Sequence, residues 1–337
     1  MADVQLSAYS TARFPVVAIA SRTPARAKEV AKRWAIPTVH ETPEELIENP
    51  EVEIVDIAFP PDQQPHLIRH ALKQEHVRAI LAQKPLAMDF SGAKTLVSEA
   101  MAANKTLSIN QNMRFDQSMR VLRQILDRGE LGAPVLGTIE MRAIPHWQEF
   151  LRQYDRLTLL NMSIHHLDVL RFLFGDPLEI FTMVRGDPRT NFPHTDGICV
   201  STLRFPSDVM AVTMEDVWSG PRKKGFASDT YIKWRVEGTE GLAQGTIGWP
   251  DYPNGSPSTL RYCSALTTDG NWIEPAWETS WFPHAFAGVM EQLQYALKTG
   301  SRPMLNAADN LKTMALVEAA YRSIAERRTI QLSELNV

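Results

Sequence analysis

From Val16 to Met113 short apolar runs alternate with longer stretches of helical periodicity. Val16 to Ala20, Ile54 to Ala58, Val77 to Leu81 and Leu107 to Asn110 read as strands. Pro24 to Trp34, Pro65 to Lys73 and Ser91 to Asn104 read as the helices between them. Strand and helix in alternation, without hairpin signals, predict a parallel sheet with crossover helices, the doubly wound α/β class. The pattern then changes. Ser118 to Arg128 is a helix closed by Gly129, Val135 to Ala143 alternates as a strand, and Leu157 to Phe174 reads as one long helix stopped by Gly175 and Pro177. Ile180 to Val184, Ile198 to Phe205, Val209 to Val217, Tyr231 to Glu237 and Leu242 to Ile247 follow as strand-like runs, before helices at His284 to Lys298 and Ala307 to Arg327. Runs of strands with few helices predict a mostly antiparallel, open-faced sheet in an α+β second domain. The expected division is residues 1–113 and 114–337.

A chain of 337 residues exceeds what one core supports, in keeping with two domains. The net charge of -4, spread without long like-charged blocks, leaves no electrostatic footprint for nucleic acid or an anionic membrane. No apolar run approaches the roughly 18 residues of a membrane span, and the amino terminus lacks a basic stretch followed by an apolar one. Cys199 and Cys263, both in strand patterns, read as reduced thiols rather than a disulfide, so a cytoplasmic protein is expected.

The first candidate for chemistry is Lys84, in Gln83-Lys84-Pro85 at the end of an apolar run. Proline restricts the residue before it, so the lysine is held in place. Parallel strands bind ligands at their carboxyl ends, which puts a fixed ammonium where a cofactor and substrate would meet.

Three stretches together resemble the glucose-fructose oxidoreductase, inositol dehydrogenase and rhizopine-catabolism (Gfo/Idh/MocA) family: Ile54-Val55-Asp56-Ile57-Ala58-Phe59-Pro60-Pro61, Gln83-Lys84-Pro85, and Asn161-Met162-Ser163-Ile164-His165-His166-Leu167-Asp168. Val236 to Gly241 extends the likeness into the second domain. The resemblance implies a Rossmann-type domain, a carboxy-terminal open-faced sheet, an active site between them, and a homodimer or homotetramer built through the sheets. It implies Lys84 and His165 as catalytic residues and Phe59, Pro60, Gln83 and Lys84 beside the cofactor. Two positions depart from the family pattern. Gln83 stands where Glu is usual, and Asn161 where an Asp would partner the histidine four residues on; an amide orients but accepts no proton, so Asn161 is expected to position substrate.

Asp168 is three residues from His165, on the same helical face, and is expected to hold that ring or a substrate hydroxyl; the alternative is an ion pair with Arg171 or Arg156. His166 points about 100° away from His165 on an ideal helix and suits packing. Metal binding by His165, His166 and Asp168 is disfavoured, because helical zinc pairs use i, i+4 spacing.

Family members open with a strand and a G-x-G-x-x-G/A turn that receives the pyrophosphate. Here Met1-Ala2-Asp3-Val4 matches just where that turn enters its helix, with Ala2 at the third glycine position. The absent strand is expected to leave a gap between Val16 to Ala20 and Ile54 to Ala58, and the native protein to be longer than this chain. Ser21 takes the place of the acidic residue that accepts from the adenosine ribose, and Arg22 follows it, so NADP is expected over NAD.

The expected reaction is hydride exchange between a nicotinamide and a secondary alcohol or ketone carbon of a sugar, polyol or glycoside. His165 would move the hydroxyl proton and Lys84 hold the oxygen, with no metal. His146 and Trp147 are expected to reach the substrate, with Arg152, Asp155, Arg156 and the segment Asp187 to Asp196 behind them. Six of eight tryptophans fall between Trp218 and Trp281, which suits an oligomer interface. A nicotinamide-binding sensor and a redox-neutral glycoside-cleaving enzyme are the rival functions.

Overall fold

The computed structural model describes residues 2–143, 149–190, 192–216, 230–248 and 256–335. The chain divides into two compact units, Met1–Asn112 with Pro283–Met314 and Met113–Phe282 with Ala315–Val337. The first boundary lies beside the expected one; the difference is that Pro283–Met314 joins the first unit.

The first unit runs α1 (Ala2–Ala12), β1 (Ala18–Ile19), α2 (Pro24–Trp34), β2 (Thr38–Val39), α3 (Pro43–Glu48), β3 (Ile54–Ile57), α4 (Gln64–Leu72), β4 (Ala79–Ala82), α5 (Phe90–Ala102) and β5 (Thr106–Ile109). Every strand pairing is parallel. The helix starts follow from local chemistry: Pro24 stands in the first turn of α2, the Thr42 side chain accepts from Glu45 N–H in α3, and the Asp89 side chain accepts from Gly92 N–H in α5. β4 is buried along its whole length between β3 and β5, as its uninterrupted apolar run requires. The parallel sheet comes in two parts, β1-β2 and β3-β4-β5, and among the described residues no strand lies between β1 and β3. That break falls at the expected gap.

The second unit is built on an eight-stranded sheet. Its strands include β6 (Pro134–Arg142), β7 (Glu179–Arg185), β8 (Ile198–Arg204), β9 (Met210–Asp216), β10 (Tyr231–Gly238), β11 (Gly241–Thr246), β12 (Thr259–Ser264) and β13 (Ile330–Gln331), in spatial order β12-β11-β10-β6-β9-β8-β7-β13. Among the described residues the β6–β9 pairing is parallel and the other strand pairings are antiparallel. α6 (Gln117–Asp127) and α7 (Ile164–Phe174) belong to this unit. Gly137 in β6 admits the end of α7: a Cβ there would stand 2.6 Å from the Phe174 ring. α8 (His284–Thr299) lies in the first unit, and α9 (Ala307–Glu326) runs across the division.

One helix expectation needs correction. Leu157 to Phe174 is not one regular helix: Leu159–Ser163 is a π-helical turn, in which Ile164 N–H reaches back to Leu159 O, and only then does α7 begin. Cys199 and Cys263 are both free thiols. Among the described residues no helix is long and apolar enough to cross a membrane.

Candidate active site

Lys84 follows β4, the middle strand of its three-stranded sheet, at the carboxyl end. The Lys84–Pro85 peptide is cis. The lysine is half-buried, and desolvation lowers its ammonium from 10.5 to about 7. Gln64, fully buried at the first position of α4, holds the loop around it: its side-chain N–H groups donate to the carbonyls of Gln83 (2.9 Å), Pro85 (2.6 Å) and Leu86 (3.1 Å), and its oxygen accepts from Gln83 N–H (3.0 Å).

A cavity of about 670 Å³ opens at the break in the sheet. Ala2, Ser21, Arg22, Phe59 and Pro60, five of the expected cofactor residues, line it together with Val16 to Ala20, Ile54 and Asp56. Gln83 and Lys84 are not among its lining residues. Arg22 donates to Gln63 Oε1 (2.9 Å) and stands 5.9 Å from the centre of the Phe59 ring, while Ser21 Oγ accepts from Thr23 N–H (3.2 Å). Asp56 accepts from Gln5 Nε2 (2.8 and 2.7 Å) and Tyr9 Oη (2.6 Å); burial raises its carboxyl from 3.8 to about 6. An exposed arginine beside a hydroxyl offers donors to an adenosine ribose at this cavity. The residues present thus fit the adenosine half of a nicotinamide dinucleotide.

In the second unit Asn161 lies in the π-turn and His165 in the first turn of α7. π-turns inside helices are frequent at functional sites, because the extra residue re-aims the side chains around it. Asp196 anchors the start of this segment: one carboxylate oxygen accepts from Leu157 N–H (2.7 Å), the other from Leu159 N–H (2.8 Å) and Tyr321 Oη (2.9 Å). Burial raises Asp196 to about 6 despite these bonds. His165 is 4% exposed, and its ring meets Trp281 edge-on, with centres 5.1 Å apart and planes at 88°. His166, fully buried, pairs through Nδ1 with Glu215 of β9 at 2.9 Å, which pins α7 to the sheet.

Asp168 has a bidentate partner that its helix does not supply, Arg114. Its two oxygens accept from Arg114 Nε (2.6 Å) and Nη2 (2.7 Å), with both side chains buried. Arg171 stands 3.8 Å away and bonds Asp176, while Arg156 pairs with Glu318. His146 and Trp147 lie outside the described residues. The two expected loop segments do meet: Thr195 Oγ donates to Asp155 (2.8 Å), and Arg152 stands 5.8 Å from the Phe192 ring centre. Trp281, Arg114 and Gln64 were not singled out by the sequence, and Asp196 was met only as the end of a candidate loop segment. Their partners lie from 19 to 125 residues away, beyond any local pattern.

A parallel α/β unit with a cavity at its sheet break, and a second unit presenting a buried histidine on a π-distorted helix start, define a dinucleotide-binding class of α/β enzyme. Residues 1–111 match the model described as "Oxidoreductase family, NAD-binding Rossmann fold", and residues 119–244 match that of the GFO/IDH/MocA C-terminal domain. The chain belongs to the Gfo/Idh/MocA family of oxidoreductases. It is 27% identical to D-apiose dehydrogenase of Rhizobium rhizogenes over 95% of this chain and 91% of that protein. It is 22% identical to myo-inositol 2-dehydrogenase of Thermotoga maritima over 92% and 89%. Its fold is that of an oxidoreductase from Agrobacterium radiobacter solved in complex with NAD+, L-tartaric acid and magnesium, with a TM-score of 0.82, 23% identity, and 99% and 96% of the two chains covered.

Proposed function

We propose that this chain is an NADP-preferring dehydrogenase that oxidises a secondary alcohol of a sugar or polyol, or reduces the corresponding ketone. The observation that carries the reading is the match of family models across both units, with relatives named as apiose and inositol dehydrogenases along nearly their whole length. When bound, the nicotinamide supplies the hydride acceptor or donor. Ser21 and Arg22 hold the adenosine ribose and its 2′-phosphate. Lys84 binds the reacting oxygen, and its lowered pKa keeps proton exchange with that oxygen close in energy near neutral pH. His165 moves the hydroxyl proton, its ring held edge-on by Trp281. Asn161 orients the substrate, and Asp168 supports the site through Arg114.

The reading includes a homodimer or homotetramer formed through the large sheet. The outward row Met183, Val200 and Met214, adjacent in register on β7, β8 and β9, supports it, as does the 60% exposure of Met183. Light scattering on the purified protein checks this part.

The deciding experiment is a screen of sugars and polyols against NAD and NADP, followed by absorbance at the reduced nicotinamide band. Net reduction with a sugar or polyol supports the dehydrogenase. Release of an aglycone without net reduction points to glycoside cleavage. Tight cofactor binding with neither leaves the sensor.

A further inference from the structure

Gln64 meets both sides of Lys84 and is fully buried, yet it is no part of the chemistry described above. Its amide touches the backbone one residue before the lysine and one and two residues after it. Lys84 is thereby bracketed by hydrogen bonds from a single side chain. The demand on that side chain is specific. It must share two N–H donors among three carbonyls and accept one N–H on one planar group, at the reach of a two-methylene stem. Glutamate keeps the acceptor and loses the donors, leucine keeps the volume and loses both, and asparagine is one methylene short.

The anchor is itself well placed. Gln64 opens α4, Pro65 occupies the first turn, and Leu67, Ile68 and Ala71 of the same helix are buried. The amide is thus fixed to a packed helix rather than to a loop, and bonds from such an element set backbone position closely.

We propose that Gln64 is a positioning residue for Lys84: its amide sets the path of the 83–86 backbone, and so the height and burial of the lysine side chain at the end of β4. The catalytic consequence rests on the dehydrogenase reading, whereas the structural one stands apart from it. With the bracket intact the ammonium is held where desolvation lowers its pKa to about 7. With the bracket cut the loop relaxes outward, the ammonium regains water, and its pKa moves back towards 10.5.

The test uses the full chain as wild type, Gln64→Leu and Gln64→Glu. Labelling with an amine-directed acylating reagent across pH 5.5 to 10, read by peptide mapping, gives the midpoint for Lys84, with exposed Lys28 as reference. The expected wild-type midpoint is about 7, rising by one unit or more in both variants while the Lys28 profile stays the same. On the best substrate from the screen, kcat falls by roughly a hundredfold, the scale of a misplaced catalytic group, while the Kd of the cofactor holds within about threefold. Should Gln64→Leu fail to fold, Gln64→Glu reads the same quantities, since it retains the bond from Gln83 N–H. A folded variant with the wild-type Lys84 midpoint overturns the proposal. A wild type without dehydrogenase activity overturns the functional reading, and the labelling still decides the role of Gln64.

Discussion

Cutting the Arg114–Asp168 pair measures whether this carboxylate serves structure as well as substrate. Both side chains are nearly sealed from water, at 7% and 2% exposure, and the two bonds of 2.6 and 2.7 Å make a bidentate clamp. Removing one partner from such a pair strands a buried charge and costs about 3–5 kcal/mol, against 0–1 kcal/mol for an exposed pair. Asp168→Leu and Arg114→Leu should each fall in the larger range, lowering the melting point of the second unit by about 6–20 °C for its size. The double variant leaves no stranded charge, so it should cost well under the sum of the singles, with a coupling of about 3 kcal/mol or more. Urea unfolding followed by tryptophan emission is the assay. Six of the eight tryptophans lie between Trp218 and Trp281, so the signal reports mainly on this unit. Single variants costing less than about 1 kcal/mol, or strictly additive costs, would refute the argument.

His165→Ala should lower kcat by about 10²–10⁴, the usual share of general acid-base catalysis, and leave cofactor affinity nearly unchanged; a smaller loss in steady-state kinetics removes His165 as proton carrier. Ser21→Asp with Arg22→Leu should move the ratio of kcat/KM for the two cofactors from NADP towards NAD, and an unmoved ratio would show that these residues miss the ribose. Asp196 binds its proton more tightly folded, with a pKa near 6 against 3.8, so stability should fall as pH rises from about 4 to 6. Asp196→Asn should be less stable at every pH and lack this contribution, about 3 kcal/mol at most by linkage. Melting curves for both proteins across that range check it: their difference should narrow as pH rises.

Regular periodicity made most of the fold legible. Pro24 to Trp34 was bounded as found, and Pro65 to Lys73 and Ser91 to Asn104 differ from α4 and α5 by a residue or two, because caps such as Asp89 and prolines such as Pro65 mark helix ends locally. Short elements such as α3 and β2 carry too few residues to show a period. The π-turn was hidden for another reason: nearly every position from Leu157 to Leu173 is buried, so no polar face reveals the phase. In the site, Lys84 and His165 were visible through local motifs. Asp168 was read against groups three residues away on its own helix, His165 or else Arg171, whereas its bidentate partner Arg114 lies 54 residues earlier. Gln64 looked like any helix-start residue until the backbone it reaches came into view.

The break between β1-β2 and β3-β4-β5 also bears on how the first unit opens. A two-stranded pair without a continuing ladder is marginal by itself, so the amides of Ala18 and Ile19 should exchange with deuterium well before those of β4, whose strand is sealed on both edges. Ser21 and Arg22 lie just past β1, the first strand of this pair. On the proposed reading a dinucleotide binds beside this pair, so its binding should register as slowed exchange across β1 and β2 and as a melting point that climbs with ligand concentration.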